Sequence, residues 1–346
     1  MSDRPTLQDL IEVRRQFQLP HEALVEKDWF VVRALAAIAA ADKGPFQLVF
    51  QGGTALSRAH RIIDRMSEDI DIKIVSQGPP PRRALRRLRE SITEQLLKAG
   101  FQIDPKNEKQ RYSNRESRYT HYRLPYEQLA PGQGTLRPEI QIETAAFAAR
   151  RPAIERPVIS FFAEAFNQSP EVPAIACAAI VETAAEKFVA LTRRAGAELA
   201  GVQRERDPTL IRHVYDLHAI RAHCDPAEVA ALAREVMQSD AESRGHEFPA
   251  YGENPLGETL RAVAGIAASA DYVRDYAVLQ RDIVYGARVE FEEAMTAVRA
   301  LADCLEERRC RRSWLHLPLK QGFCDIRNSA FRRRLAESQH LRIGAT

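Results

Sequence analysis

No stretch of the 346-residue sequence approaches the ~18 consecutive apolar residues that a membrane-spanning helix requires. Cysteine is scarce: the chain has five, scattered along the sequence, and no pair has the spacing of zinc ligands. The first residues, Met1–Pro5, are polar and lack the apolar segment of a signal peptide. These absences argue against a membrane protein, a secreted protein and a zinc site, and they predict a cytosolic protein.

A strong excess of charge of one sign is also missing, because the formal net charge is only +3. The composition, 45% hydrophobic and 28% charged, is typical of a globular protein, and the length suits two domains. We expect one domain over residues 1–152 and a helical one over 153–307. Residues 308–346 form a basic tail to which the sequence pattern assigns no structure.

The most informative feature is a glycine-containing turn. The apolar run Phe46–Phe50 predicts a strand that leads into Gly52 and Gly53, and a helix is expected over 55–63. Glycines at such a turn let backbone N–H groups approach a ligand closely, and the helix N-terminus suits a phosphate. Thr54 adds a hydroxyl donor at the same place. The turn therefore predicts a phosphate-binding site.

A pair of carboxylates follows this turn. A strand is expected over 70–75, and side chains alternate along a strand, so Asp69 and Asp71 face the same side. A divalent cation relieves the repulsion between two such carboxylates, and oxygen ligands suit Mg²⁺. Either motif alone is common as a simple turn or an exposed strand edge. Together they predict metal-assisted phosphoryl or nucleotidyl transfer.

The periodicity of apolar residues predicts the surrounding elements. Helices are expected over 6–18, 21–40 and 82–99, and half-buried strands over 119–124 and 138–144. From about residue 174 to 305 the pattern is almost wholly helical, with an interruption around 244–257 where glycine and proline occur.

Several of these segments resemble the AbiEii/AbiGii family of nucleotidyltransferase toxins. The resemblance covers about residues 20 to 300, and it depends on these segments: Glu26–Trp29, Gly52–Ser57, Arg65–Ile72, Glu186–Leu191 with Arg193, and Arg212–Leu217. His213 stands where many members have Asp, so no ligand role is carried over to position 213.

The resemblance implies an α+β fold in which a polymerase-β-like nucleotidyltransferase domain with a mixed sheet precedes a C-terminal helical bundle domain. It implies an NTP donor, Mg²⁺ held by Asp69 and Asp71, and tRNA as the acceptor of characterised members. It also implies a toxin of a toxin–antitoxin or abortive-infection system, with a cognate antitoxin. By this resemblance the nucleotide-binding residues are Gly52, Gly53, Thr54, Ser57, Lys187 and Asp216.

A third carboxylate is expected in such a fold, where it acts as a general base or helps to hold the metal. The candidates are Glu139 and Glu143, which share the polar face of one strand with Gln141 between them. Glu143 is preferred because its Ile-x-Ile-Glu context resembles the family pattern. The alternative is that both are solvent-facing strand residues.

Lys187 and Asp216 have two compatible interpretations. Lys187 reaches the NTP phosphates as a point charge, or it forms a buried ion pair with Asp216 that connects two helices. Asp216 would then orient Lys187 or a metal-site residue.

Arginines and tyrosines cluster in two places. The helix over 82–99 carries Arg82, Arg83, Arg86, Arg87 and Arg89, while Arg111, Arg115, Arg118 and Arg123 alternate with Tyr112, Tyr119 and Tyr122. Such clusters are either solvated surfaces or an RNA-binding surface. Besides transfer to RNA, a small-molecule nucleotidyltransferase and an inactive binding protein of the same fold stay open.

Overall fold

The computed structural model describes residues 4–114, 116–130, 136–203 and 205–306. The basic tail expected over 308–346 lies outside this range. Within it, strands and helices alternate up to residue 177, and helices predominate afterwards. None of the helices in these ranges is long and apolar enough to cross a membrane.

The described strands form one mixed sheet in the order β3-β4-β5-β2-β1-β7-β6. Their bounds are β1 Gln47–Gln51, β2 Asp69–Val75, β3 Arg111–Ser113, β4 Tyr119–Pro125, β5 Glu139–Ala146, β6 Ile154–Val158 and β7 Val172–Cys177. Strand β2 runs antiparallel to β1 and parallel to β5, and β1 runs parallel to β7. The centre of the sheet is therefore β1, β2 and β5.

The helices surround the sheet and extend beyond it. Their bounds are α1 Leu7–Phe17, α2 Glu22–Ala39, α3 Gly52–Thr54, α4 Arg82–Lys98, α5 Phe161–Ala165, α6 Ile180–Leu199, α7 Arg212–Ile220, α8 Pro226–Arg244, α9 Pro249–Glu253, α10 Pro255–Ala268, α11 Ala270–Asp282 and α12 Phe291–Glu306. Helix α3 continues as one π-helical turn, Ala55–Ala59.

The alternation of side chains along β2 gives the sheet two different faces. Ile70, Ile72 and Ile74 are buried in a core that also contains Leu85 and Leu88 of α4 and several residues of α2. The residues between them, Asp69, Asp71 and Lys73, must face the other side. That polar face is where the candidate site lies, so the apolar side of β2 fixes the position of its carboxylates.

A second core lies among the helices that follow the sheet. Phe188 of α6, Val214 of α7, Leu232 of α8 and Leu301 of α12 are fully buried in it. Leu56, three residues after Gly53, packs into the same core. The glycine turn is thus anchored to the helical part of the chain through an apolar contact.

Most of the predicted elements are confirmed, with shifts at their ends. The helix expected over 55–63 begins earlier, at Gly52, and its last turn ends at Ala59. The region expected to be helical from about residue 174 starts with the strand β7, which ends at Cys177. Pairing with β1 overrides the alanine-rich local sequence there.

Strands β6 and β7 were not anticipated, and they extend the sheet beyond residue 152. The division of the chain into domains at 152 and 307 remains a prediction, as does the assignment of the C-terminal helices to a separate bundle domain. The α+β class and the mixed sheet are observed.

Candidate active site

Three polar side chains form a row across the centre of the sheet. The strand register places Asp71 of β2 directly opposite Gln51 of β1 on one side and Glu143 of β5 on the other. Such cross-strand neighbours have Cβ atoms about 4.5–5.5 Å apart. Asp69 lies two residues earlier on the same face, opposite Gln141. The register thus places Asp69, Asp71 and Glu143 on one face of two neighbouring strands, whereas Glu139 lies farther along β5, opposite Pro125 of β4.

The glycine turn fits closely against these carboxylates. Gly52 has φ +79°, and a Cβ atom placed on it would lie 2.1 Å from Oδ2 of Asp71. A Cβ on Gly53 would lie 2.6 Å from Oγ of Ser67. A Cβ atom at either position would therefore force a neighbouring side chain to shift, and at Gly52 it would also strain the backbone. The close approach places the backbone of the turn beside Asp71.

The hydroxyl groups of Thr54 and Ser57 are engaged within the protein. The Thr54 hydroxyl donates to the backbone carbonyl of Asp69 and lies 3.0 Å from Oγ of Ser67. Ser57 is buried, and its Oγ lies 3.3 Å from the hydroxyl of Tyr285. Thr54 thus connects the glycine turn to the Asp-x-Asp strand. Direct contact of either hydroxyl with a nucleotide stays a prediction.

An open cleft lies over the polar face of the sheet. The described residues that line it come from the glycine turn, from β2 and the loop before it, and from α6 and α7; they are Gln51, Gly52, Gly53, Arg65, Ser67, Asp69, Asp71, Thr183, Glu186, Lys187, Ala190, Arg212 and His213. Lys187 therefore faces the two aspartates across this cleft.

Lys187 also belongs to a buried cluster of three charges. Its Nζ lies 2.7 Å from Oδ2 of Asp216, and Nε and Nη2 of Arg65 lie 2.6 and 2.7 Å from the two oxygens of the same carboxylate. Burial disfavours the charged form of Asp216, but the charges of Arg65 and Lys187 outweigh it and hold the pKa of Asp216 below its ordinary value. The cluster connects the loop before β2 to α6 and α7, and it carries one net positive charge beside the cleft.

Asp69 has two arginines beside it. Nη2 of Arg137 lies 2.8 Å from Oδ1 of Asp69, and Nη1 of Arg212 lies 3.7 Å from Oδ2. Arg137 also binds Glu68 at 3.2 Å and Gln141 at 2.7 Å. A metal cation bound at Oδ1 of Asp69 would repel the guanidinium of Arg137. That guanidinium could move away and keep Glu68 and Gln141 as partners.

Asp71 is a carboxylate whose charged form is disfavoured, first by burial and then by neighbouring negative charges. Burial, followed by the negative charges of Asp69 and Glu143, raises the pKa of Asp71 to about 7, although Lys187 and Arg212 oppose the shift. A carboxylate under such repulsion is a group whose charge a divalent cation stabilises.

A buried lysine holds α6 against the sheet. Nζ of Lys73 lies 2.5 Å from Oε1 of Glu182 and 2.8 Å from Oε1 of Glu186, both on α6. Lys73 is 3% exposed, and it is on the same face of β2 as the two aspartates. Since Lys187 follows Glu186 directly, this contact helps to position Lys187 over the cleft.

The segment Glu26–Trp29 lies outside the cleft and supports the loops around it. Lys27 pairs with Glu68 at 3.0 Å and donates to the backbone carbonyl of Glu139 at 2.5 Å. Asp28 pairs with Arg58 at 2.6 Å and accepts from the N–H of Phe161 at 2.7 Å. Lys27 and Asp28 thus each have a charged partner. Through these contacts they hold the loop before β2, the start of β5 and the start of α5 next to the site.

The sequence matches the model of one protein family over most of its length. The model described as nucleotidyl transferase AbiEii toxin, type IV toxin–antitoxin system, matches residues 33–302. The chain belongs to this family. No curated protein matches it. Among solved structures it is similar to MenT4, the nucleotidyltransferase toxin Rv2826c from Mycobacterium tuberculosis H37Rv, with 17% identity and a TM-score of 0.49 over 88% of this chain and 92% of that one.

As an AbiEii-family member, the chain is a nucleotidyltransferase toxin of a type IV toxin–antitoxin system. Enzymes that transfer nucleotides generally use divalent metal ions. Two carboxylates on one strand face, completed by substrate phosphates and water, are the kind of oxygen set that Mg²⁺ uses. Within the described ranges, no three His, Cys, Asp or Glu side chains are close enough to form a metal cluster of their own.

Several residues of this AbiEii site have no role that the sequence alone predicts. Arg65, Ser67 and Arg212 occur inside the recognised motifs, so the motifs themselves were the available signal. Arg137 and Lys73 had no such signal, because their partners are distant in sequence. His213 lines the cleft, and burial, followed by the charges of Lys187 and Arg212, lowers its pKa well below the ordinary value. It is therefore neutral near pH 7.

Proposed function

We propose that this AbiEii protein transfers a nucleoside monophosphate from an NTP to RNA, with Mg²⁺ as cofactor. One observation carries the proposal: Asp71 contacts the glycine turn on one side and lies opposite Glu143 on the other. The turn suits the triphosphate, and Glu143 is exposed on the other side, where an acceptor could reach it. Asp71 would then lie between the two substrates.

The triphosphate would bind between the glycine turn and α6. Backbone N–H groups of Gly52 and Gly53 would face phosphate oxygens from one side. Lys187 and Arg212 line the opposite side of the cleft and supply positive charge. Arg65 adds to this positive charge indirectly. It neutralises Asp216, so that the charge of Lys187 is not cancelled by its buried partner.

Mg²⁺ would be held by Asp69 and Asp71. When bound, it neutralises charge on the phosphates and on these carboxylates. The protein's own residues then position the reaction: the glycine turn fixes the phosphates, and Lys73 and Asp216 hold Lys187 in place. Such positioning and charge neutralisation suit a transfer in which the protein forms no covalent bond.

The chemical step is a displacement at the α-phosphorus. An acceptor hydroxyl oxygen forms the new P–O bond, the bond from the α-phosphorus to the bridging oxygen breaks, and pyrophosphate leaves with the bond's electron pair. Glu143 is exposed on the strand next to Asp71 and would take the hydroxyl proton. Glu139 is two residues farther along the strand, which makes it the weaker candidate.

RNA is the acceptor class that the surface charges favour, and tRNA is the acceptor suggested by the family resemblance. Arg118 directly precedes β4 and Arg123 lies within it, and both are exposed beside the strand that carries Glu143. A cognate antitoxin, as expected for a type IV system, would counteract the consequence of this transfer in the cell.

The proposal is tested by incubating the protein with each labelled NTP, Mg²⁺ and total RNA, with Asp71→Asn as the inactive control. Labelled RNA with the wild type alone supports the proposal. Label on a small metabolite would instead indicate a small-molecule nucleotidyltransferase, and absence of any labelled product under all four NTPs would contradict transfer to RNA.

A further inference from the structure

The polar row that contains Asp71 does not end at Glu143. Glu143 lies opposite His121 of β4, and His121 lies opposite Tyr112 of β3. These two side chains therefore share the face of the sheet that carries the carboxylates, on the side away from the glycine turn. The distance from β5 to β3 is two strand spacings, about 10 Å.

The side chains on this face are suited to unpaired bases. Tyr112 is 46% exposed, and Tyr119, which is two residues before His121 on β4, is partly exposed. Tyr122 points the other way and is fully buried, so the structure separates the tyrosines that the sequence had grouped. Exposed aromatic rings on a sheet are a common platform for stacking of single-stranded bases.

His121 has an unused hydrogen-bonding atom at this place. Its Nε2 is buried and has no hydrogen-bond partner among the described residues. Burial lowers the pKa of His121 although Glu143 opposes the shift, so the ring is neutral near pH 7. The ring is partly exposed, so a neutral imidazole offers a flat surface for stacking against a base.

Positive charge lies along the same face and at its end. Arg123 is exposed on β4, with Nε 4.0 Å from Oε1 of Glu139, and Arg118 is exposed at the turn that precedes β4. Both side chains are available to phosphates of a strand that crosses β4. The arginines of α4 are placed differently, because α4 packs with Leu85 and Leu88 on the opposite face of the sheet.

We propose that the face of β3 and β4 formed by Tyr112, Tyr119, His121 and Arg123 binds the last unpaired nucleotides of a single-stranded RNA end. We call this surface the β3–β4 platform. The inference rests on the proposed function, and it deepens that function by naming the form of the acceptor. The platform directs the terminal hydroxyl of the RNA to Glu143, while the NTP lies on the other side of Asp71.

Binding is tested with the full chain and a short fluorescent RNA, offered single-stranded or annealed to its complement. We expect Tyr112→Ala and His121→Ala each to weaken single-strand binding about tenfold, the loss expected when one stacked base is lost. Tyr112→Phe keeps the ring and should bind within about twofold of wild type. Arg86→Ala, on the opposite face, is the matched surface control and should have no effect. Melting temperatures identify any variant that fails to fold.

Two results would overturn the platform: unchanged single-strand binding in both alanine variants, or an equal loss in Tyr112→Phe and Tyr112→Ala. Preference for the annealed RNA would overturn it as well. Transfer assays distinguish a failure of the platform from a failure of the proposed nucleotidyl transfer to RNA. The platform requires a raised KM for RNA with an unchanged KM for NTP in Tyr112→Ala. If the wild type labels RNA and this variant keeps both KM values, only the platform fails; if the wild type labels no RNA, the proposed function fails first.

Discussion

Lys187 and Asp216 form a buried ion pair, with Nζ 2.7 Å from Oδ2, and the same lysine lines the cleft that contains Asp69 and Asp71. The two interpretations of Lys187 that the sequence left open are thus compatible in one geometry. The contact with Arg65 changes what each substitution should do, because Asp216 has two cationic partners and loses only one of them when Lys187 is replaced.

Lys187→Met should therefore fold almost normally and lose activity. Arg65 keeps both of its contacts with Asp216, so we expect a loss of less than about 2 kcal/mol in the free energy of unfolding. Removal of a charge that faces the phosphates should lower kcat/KM by about 100- to 1000-fold. Urea denaturation and transfer kinetics measure the two effects. Near wild-type kcat/KM in a folded Lys187→Met protein would show that Lys187 does not act on the substrate.

Asp216→Asn, unlike Lys187→Met, should strongly destabilise the fold. It leaves the cations of Arg65 and Lys187 buried together without a counter-charge, which we expect to cost about 3–5 kcal/mol of stability. A large decrease in melting temperature is the measurement that checks this. A normal melting temperature would mean that the cluster does not connect α7 to the loop before β2.

Substitution of the glycine turn offers a test of the close approach to Asp71. Gly52→Ala introduces a Cβ atom at a positive φ and in collision with Oδ2 of Asp71. Gly201→Ala is the matched control, because Gly201 has φ +71° and no atom within 4 Å of the added Cβ. Both should lose about 1–2 kcal/mol from the backbone conformation. Only Gly52→Ala should lose about 100-fold in kcat, since it displaces a reacting-site group. Equal kcat values in the two variants would contradict this account of the turn.

The sequence was sufficient to predict those parts of the site that local pattern determines. Alternation along β2 placed Asp69 and Asp71 on one face, and Ile140 and Ile142 placed Glu143 on the corresponding face of β5. In the structure, parallel pairing of β2 with β5 places Asp71 beside Glu143. Periodicity alone could not reveal this pairing. The predicted roles of these residues in catalysis and metal binding stay predictions.

The contacts that support the site could not be predicted in the same way. Arg137 meets Asp69 across 68 residues, and Lys73 meets Glu182 across 109. Neither residue has a distinctive local sequence, so only the tertiary structure identifies the partner. Strand β7 was missed for a related reason: its sequence, with Pro173 and alanines, has low strand propensity, and pairing with β1 and β6 determines its conformation.

The pH dependence of stability should report the burial of Asp71 and its repulsion by Asp69 and Glu143. Its pKa of about 7 in the folded protein exceeds the value of about 3.9 expected in the unfolded chain. The folded state therefore binds the extra proton, and the metal-free protein should lose stability as the pH rises between these two values. The full shift corresponds to about 4 kcal/mol, and partial exposure of the side chain reduces our expectation to about 2 kcal/mol.

Denaturation with a chelator present, at about pH 5 and about pH 8, measures this change. Asp71→Asn removes the titrating group, so its stability should vary less with pH than that of the wild type, and it should exceed the wild type at the higher pH. The comparison isolates Asp71 because both proteins share every other titrating group. Parallel pH profiles would show that the pKa of Asp71 is not raised in the folded protein.

Growth experiments connect the candidate site to toxicity. Induction of the wild type without its antitoxin should slow bacterial growth, as expected for a toxin of a type IV system. Asp71→Asn should not, because it removes one of the two carboxylates that would hold Mg²⁺ while it relieves repulsion in the folded protein. Growth rates at matched protein levels, determined by immunoblot, give the comparison. If Asp71→Asn slows growth as much as the wild type does, toxicity arises from something other than nucleotidyl transfer, such as binding of RNA without reaction; the additional variant Tyr112→Ala would then show whether the β3–β4 platform is responsible.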